Sequence, residues 1–296
     1  MRSRWTKRTN EGRLPILSIA TLTPFLWKNP YGMRSRFRLA LATRCWSSAP
    51  WNNWPEIAST GAEAVQLDVR TELSPTQLTT TGRRDFLHRL RETGLRVSST
   101  VFPLKRPLYD QNELDRKLAA IREAMEFTHS LQSSVMCIPL GKLPAADRTK
   151  DQQLLRELLQ DLAAFGNHVG VTPVWAPVGD GAEDVATLLR EITTGPVGID
   201  FDPAYFTMTG RSSSESLKVI GDLTAHVQLR DGVRMLDGGG DETAVTEGAV
   251  DWVELLALLS EMEYSGWLTA IRLQGPDRAG DCIRAIQFVQ RTLLGG

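Results

Sequence analysis

The chain has 296 residues, 42% hydrophobic and 23% charged, enough to bury one core of the size that an α/β barrel of roughly 250 residues needs. Its formal net charge of -1 conceals a basic start: residues 1–36 hold eight Lys/Arg against one acidic residue, so the remainder is acidic, which argues against nucleic acid as a partner. Cys45, Cys137 and Cys282 lie far apart without a CxxC pair, which excludes a disulfide framework or a zinc cluster as the organising element and suits a reducing, cytoplasmic setting.

Residues 1–36 read as an extension separate from the fold. MRSRWTKRTNEGR is basic, and LPILSIATLTPFLW is an apolar run of fourteen residues, too short and too interrupted by proline for a membrane span. A signal peptide ends in an A-x-A-like cleavage site of small residues, and KNPYGMRSR does not supply one. A disordered extension, or a true start at Met33, is the preferred reading, with no membrane partner.

From Phe37 onward, short runs rich in Val, Ile and Leu alternate with longer segments of helical period, the rhythm of β/α units around a parallel sheet. Eight strands are expected: 38–43 (RLALAT), 64–69 (AVQLDV), 96–101 (RVSSTV), 134–140 (SVMCIPL), 170–176 (GVTPVWA), 197–202 (VGIDFD), 225–231 (AHVQLRD) and 267–273 (WLTAIRL). Between them, Leu118, Ile121, Met125 and Leu131 repeat at helical spacing, and Gly94, Gly170 and Gly266 fall where helical segments stop. The pattern predicts a single (β/α)8 TIM barrel over 37–296. An open doubly wound sheet is the competing architecture, but TRCWSSAPW after the first strand has no Gly-rich fingerprint.

In such a barrel the functional side chains sit at the carboxyl ends of the strands. Here those positions hold Arg44, Asp68 and Arg70, Lys105 and Arg106, Lys142, Ala176, Asp202 and Tyr205, Gln228 with Arg230 and Asp231, and Arg272 with Gln274. The set is rich in arginine and poor in carboxylate and imidazole.

GIDFDPAYFTMTG resembles the segment of xylose isomerase-like sugar isomerases and epimerases in which a strand ends in Asp-Pro. HVQLRDG resembles that family's His-x-His-x-Lys-Asp strand, EGAVDWVELLALLSEMEYSGWLTAIR its closing Val-Asp-Trp, helix, Tyr-x-Gly and last strand, and GAEAVQLDVR its second strand. The resemblance covers about residues 37–292. It implies a sugar or sugar-phosphate isomerase or epimerase whose divalent metal is held by a Glu, an Asp, a His and a second Glu at the ends of strands five to eight. Those positions fall on Ala176, Asp202, Gln228 and Arg272, and a neighbouring family His falls on Tyr205. One carboxylate and one neutral amide are a poor set for a hard cation, and a guanidinium repels one. No metal cofactor is therefore expected. Arg272 is expected to supply the missing positive charge and to pair with Asp202.

Two functional readings follow. In the first, a metal-independent isomerase or epimerase uses Asp202 as base and Arg272 or Arg230 as electrophile. In the second, a non-catalytic barrel binds an anionic sugar-like small molecule through Arg44, Arg70, Tyr205, Gln228 and Arg230. The apurinic-site endonuclease branch is disfavoured, because it needs a still richer ligand set. The bland alternative for the arginines, including Arg106 and Arg234, is pairing with Asp68, Asp231 and Asp237 on loops. Asp200 reads as the partner of an inward arginine, His226 as a buried hydrogen-bonded residue, and Cys45 as a thiol without a His partner. Gly238–Gly240 reads as a mobile loop over the mouth, a lid or a hairpin.

Overall fold

The structure, a computed structural model, describes residues 37–46 and 54–293; the expected extension over 1–36 lies outside them. The strands are β1 (Arg38–Ala42), β2 (Ala64–Asp68), β3 (Arg96–Val101), β4 (Val135–Gly141), β5 (Thr172–Pro177), β6 (Gly198–Phe201), β7 (Thr224–Leu229), β8 (Asp231–Arg234), β9 (Gly240–Thr243) and β10 (Trp267–Ala270). The helices are α1 (Trp54–Ser59), α2 (Thr80–Glu92), α3 (Leu114–Ser130), α4 (Thr149–Val169), α5 (Ala182–Arg190), α6 (Pro203–Met208), α7 (Ser213–Ile220), α8 (Trp252–Glu261) and α9 (Arg278–Leu293). β1 to β7 and β10 close into a barrel of parallel strands in the order β1-β10-β7-β6-β5-β4-β3-β2, while β8 and β9 pair only with each other. The expected (β/α)8 barrel is the fold.

Alternation along the strands sorts side chains between two environments. On β7, Val227 and Leu229 join the large apolar cluster that also contains helix residues such as Leu255, Leu259 and Ile286. Alternating with them, His226 and Gln228 are buried polar residues bonded to the side chain of Asp200 on the neighbouring β6. The opposite end of the barrel is closed by Trp267, which packs with Ala40 and Ala64 and is covered by the guanidinium of Arg38 at 3.8 Å.

Several strands end earlier than the apolar pattern suggests, and the departures at β6 and β10 build the mouth. Asp202 leaves β6 to cap α6, accepting the N–H of Tyr205 at 3.2 Å, and Pro203 follows as the first helical residue. After Ala270 the chain leaves the sheet, and the N–H groups of Leu273 and Gln274 turn to the carboxylate of Glu242.

The glycine run belongs to a hairpin, with Arg234 opposite Gly240 and Gly232 opposite Glu242. Its base is held by Asp231, which accepts N–H groups from Gly232 (2.7 Å), Thr246 (3.0 Å) and Val250 (3.1 Å). Gly248 lets the return loop close over that carboxylate, since a Cβ there would stand 2.0 Å from Asp231 Oδ1. Asp231→Ala strips these donors of their acceptor and is expected to cost about 3 kcal/mol of unfolding free energy, measured by urea denaturation. A loss below about 0.5 kcal/mol, the size of an ordinary surface change, would show that Asp231 does not anchor the hairpin.

Candidate functional site at the strand ends

Asp202 after β6, Arg230 after β7 and Arg272 after β10 meet in a chain of alternating charge completed by two residues from elsewhere. Arg230 donates from Nη1 to Asp202 Oδ2 at 2.5 Å and from Nε to Glu242 Oε1 at 2.6 Å. Glu242 reaches in from β9, and its Oε2 lies 3.8 Å from Arg272 Nη1. Arg272 donates from Nε to Asp281 Oδ2 on α9 at 3.0 Å, and Arg284 also donates to Asp281. The side chains from Asp202 to Asp281 are between 1% and 14% exposed, so these are buried ion pairs rather than surface ones.

The partner of Asp202 is thus Arg230, and the expected Arg272–Asp202 pair is corrected. Once the chain leaves the sheet, the Arg272 N–H donates to Cys45 Sγ at 3.2 Å and the side chain runs to the first turn of α9. Asp200 is likewise bound by no arginine among the described residues. Its Oδ1 takes His226 Nδ1 at 2.7 Å, and its Oδ2 takes the amide of Gln228 at 2.7 Å. His226 Nε2 meets Thr269 Oγ1 at 2.8 Å and Ser99 Oγ at 3.3 Å, so His226 is the buried, hydrogen-bonded residue expected.

The other expected site residues scatter. The Tyr205 hydroxyl donates to the Asp180 carbonyl at 3.2 Å. Arg70 donates to the Pro103 carbonyl and lies 5.0 Å from the Phe102 ring. Arg44 is partly buried, and its Nε has no hydrogen-bond partner among the described residues. Asp68 accepts from the main chain of Arg70 and Thr71 and from the Thr71 hydroxyl, and Asp231 accepts main-chain N–H groups, so neither is the arginine partner considered. Arg106 pairs loosely with Asp110 at 3.7 Å. Cys45 lies 3.3 Å from the sulfur of Cys282. The hydrogen bond from Cys282 holds its thiol below the usual value, while burial pushes Cys282 well above it.

Glu242 and Asp281 were not legible as site residues. Glu242 sits in GGGDETAVTEG, where nothing marks one acid among several, and Asp281 precedes Cys282 in a helix whose surface is rich in charge. Glu72 is a third such residue. It accepts the Thr43 hydroxyl at 2.6 Å, and burial raises its pKa.

A closed parallel barrel with its charged side chains gathered at the carboxyl ends of the strands is the architecture of a large class of α/β barrel proteins. Within that class the chain belongs to the xylose isomerase-like TIM barrel family, whose sequence model matches residues 54–289. Solved structures share the fold. A xylose isomerase domain protein from Planctomyces limnophilus superposes with a TM-score of 0.74 at 17% identity, over 88% of this chain and 96% of that one. A D-tagatose 3-epimerase-like protein gives 0.72 at 15%, over 87% and 97%. A xylose isomerase-like TIM barrel protein from Mycobacterium smegmatis, solved with magnesium, gives 0.71 at 14%, over 88% and 98%. No curated protein sequence matches the chain.

Two places test whether a divalent metal fits. At the strand ends, Ala176, Gln228 and Arg272 offer no anionic ligand, and the carboxylate of Asp202 is engaged by Arg230; this set does not suit a hard cation. Deeper in the barrel, Cys137, Asp200 and His226 bring ligand atoms within 4.8 Å of one another, the one such group of three among the described residues. There His226 Nδ1 is committed to Asp200 and Nε2 to Thr269. Burial and the Asp200 charge push the Cys137 thiol well up, so it keeps its proton. The trio is satisfied as a hydrogen-bonded network.

Burial raises the Asp202 pKa above its ordinary 3.8, while Arg230 pulls it down. Arg230→Met removes that pull and leaves a buried carboxylate unpaired, which is expected to cost about 3–5 kcal/mol at pH 7. Without Arg230 the folded-state pKa of Asp202 climbs further. The folded variant then binds a proton that the unfolded chain has released, so its stability rises as pH falls through that raised value toward 3.8. Urea denaturation at pH 7 and pH 5 should therefore show a smaller penalty at pH 5, and a penalty independent of pH would contradict the pairing.

Proposed function

We propose that this chain is a sugar isomerase/epimerase-like barrel whose mouth recognises an anionic sugar-like ligand without a divalent metal, with binding rather than turnover as its role. The observation that carries the reading is Arg230 standing between Asp202 and Glu242 at the strand ends. Positive charge is supplied there by side chains, at the place where the family resemblance puts a cation. The same resemblance assigns proton transfer to two Glu residues, and Ala176 and Arg272 occupy those positions, so the acid/base pair is missing along with the ligands.

An acidic ligand is favoured by the surroundings. A cleft of about 690 Å³ beside the ends of β2 and β3 is lined by Arg70, Lys105, Arg106, Arg116 and Lys117 against Asp110 and Glu113, a field that attracts anions. Arg44, whose Nε has no partner among the described residues, adds a further donor at the end of β1. Tyr205 and Gln228 are committed to Asp180 and Asp200 and act in this reading by holding the mouth in shape.

One observation favours turnover as a second reading. Burial makes Asp202 a stronger base than a free aspartate, and Arg230 beside it is placed to stabilise an enediolate oxygen while Arg272 adds positive charge nearby. Loss of the carbon-bound proton of a ketose in D2O, followed by NMR, would establish it.

The binding reading is tested by thermal shift of the full chain. D-gluconate or D-glucose 6-phosphate is expected to raise Tm in a saturable way, by about 5 °C at a hundred-fold excess over Kd. Mn2+ or Mg2+ at micromolar concentration is expected to leave Tm unchanged. Stabilisation by the micromolar metals, or by neutral sugars only, would contradict the reading.

A further inference from the structure

We infer that the turn after β10 forms a binding site for a phosphate or carboxylate group, that this site is filled by the protein's own Glu242, and that an acidic ligand enters by exchanging with that side chain. The inference rests on the reading of the mouth as an anion site, and adds where the acidic group goes and what occupies its place.

Glu242 extends from β9 across the mouth, and its side chain is 1% exposed. Its two oxygens take the N–H of Leu273 at 3.1 and 3.0 Å, the N–H of Gln274 at 2.6 Å and Nε of Arg230 at 2.6 Å. Consecutive main-chain N–H groups converging with a guanidinium on one pair of oxygens make a concavity for an anion, with only donors to offer. Gly275, at φ +114°, keeps that turn narrow: a Cβ there would stand 2.9 Å from Arg272 Nη2.

The decisive feature is a donor left over. Arg272 Nη1 is buried, makes no hydrogen bond among the described residues and lies 3.8 Å from Glu242 Oε2. Buried donors are ordinarily satisfied, and a carboxylate already holding three donors does not reach this one. A phosphate monoester brings a third oxygen. The donor set therefore exceeds what Glu242 uses, as expected if the side chain is a stand-in for a larger anion.

Glu242 also sits outside the barrel sheet, on a hairpin that packs against Met208 of α6. The hairpin pairs with no barrel strand, and its tip carries Met235 and Leu236 in solvent, Leu236 fully so. Lifting β9 removes Glu242 from the turn without breaking a bond between barrel strands.

An internal occupant lowers the apparent affinity for a ligand by the fraction of molecules in which the site is free. Isothermal titration of the full-length wild type and Glu242→Gln with inorganic phosphate, D-glucose 6-phosphate, D-gluconate and D-glucose tests the idea. The variant keeps the length of the side chain and loses its charge. It is expected to bind the acidic probes at least about ten-fold more tightly than the wild type, with D-glucose unchanged. Adding Arg272→Met is expected to abolish the gain. A larger gain for the phosphates than for D-gluconate assigns the leftover donor to a third oxygen. Equal affinity of both proteins for every acid would overturn the inference and leave the anion reading standing; no acid binding by either would overturn both. Should E242Q fail to fold, proteolysis of the wild type at residues 235–239 decides: faster cleavage at saturating D-glucose 6-phosphate is expected, and an unchanged rate at saturation would refute the exchange.

Discussion

Two carboxylates, Asp202 and Glu242, are buried at the barrel mouth, and the guanidinium of Arg230 joins them at 2.5 and 2.6 Å. Neither acid is tolerated there as an unpaired charge, so the position of Arg230 constrains everything around it. It fixes Asp202 at the start of α6. It draws the hairpin inward, so that Glu242 reaches the turn after β10. Through that turn it sets the course of the chain past Arg272 into α9. A single permanent charge on a planar fork can bridge two acids in this way, which a lysine ammonium would do with less geometric definition.

In the reading proposed above, the same interaction stands where the family resemblance would put metal chemistry. A metal site needs its acids turned toward a common point and free to coordinate. Here Asp202 is spent on Arg230, and Asp200, one step deeper, is spent on His226 and Gln228. Polar groups inside the barrel are arranged to satisfy one another.

How much of this was legible in the sequence follows from the range of each signal. The eight barrel strands were legible because the alternation of Val, Ile and Leu is local, and the family likeness because its segments are contiguous and in order. Asp202 and Arg230 were named as site residues because strand ends are predictable positions in a barrel. Their pairing was not legible: Arg272, at a position that the resemblance gives to a metal ligand, is the partner expected for Asp202 until the chain is seen to leave the sheet at Ala270 and Arg230 takes that place. Glu242 was hidden for a different reason. It belongs to a hairpin rather than to the β/α repeat, and its partners Leu273 and Gln274 contribute main-chain N–H groups, which leave no mark on residue identity. An arginine is the expected partner of Asp200 because a permanent charge is the simplest counterpart to seek, whereas the imidazole of His226 and the amide of Gln228 are what bind it.

The central claim, that side-chain charge occupies the place of a divalent cation at the mouth, is tested most directly by an anomalous difference map from crystals soaked in MnCl2. The account predicts continuous density from the Arg230 guanidinium to both Asp202 and Glu242 and no manganese peak at the ends of β5, β6, β7 and β10. A manganese peak within coordination distance of Asp202, with Arg230 turned away from it, would contradict the account.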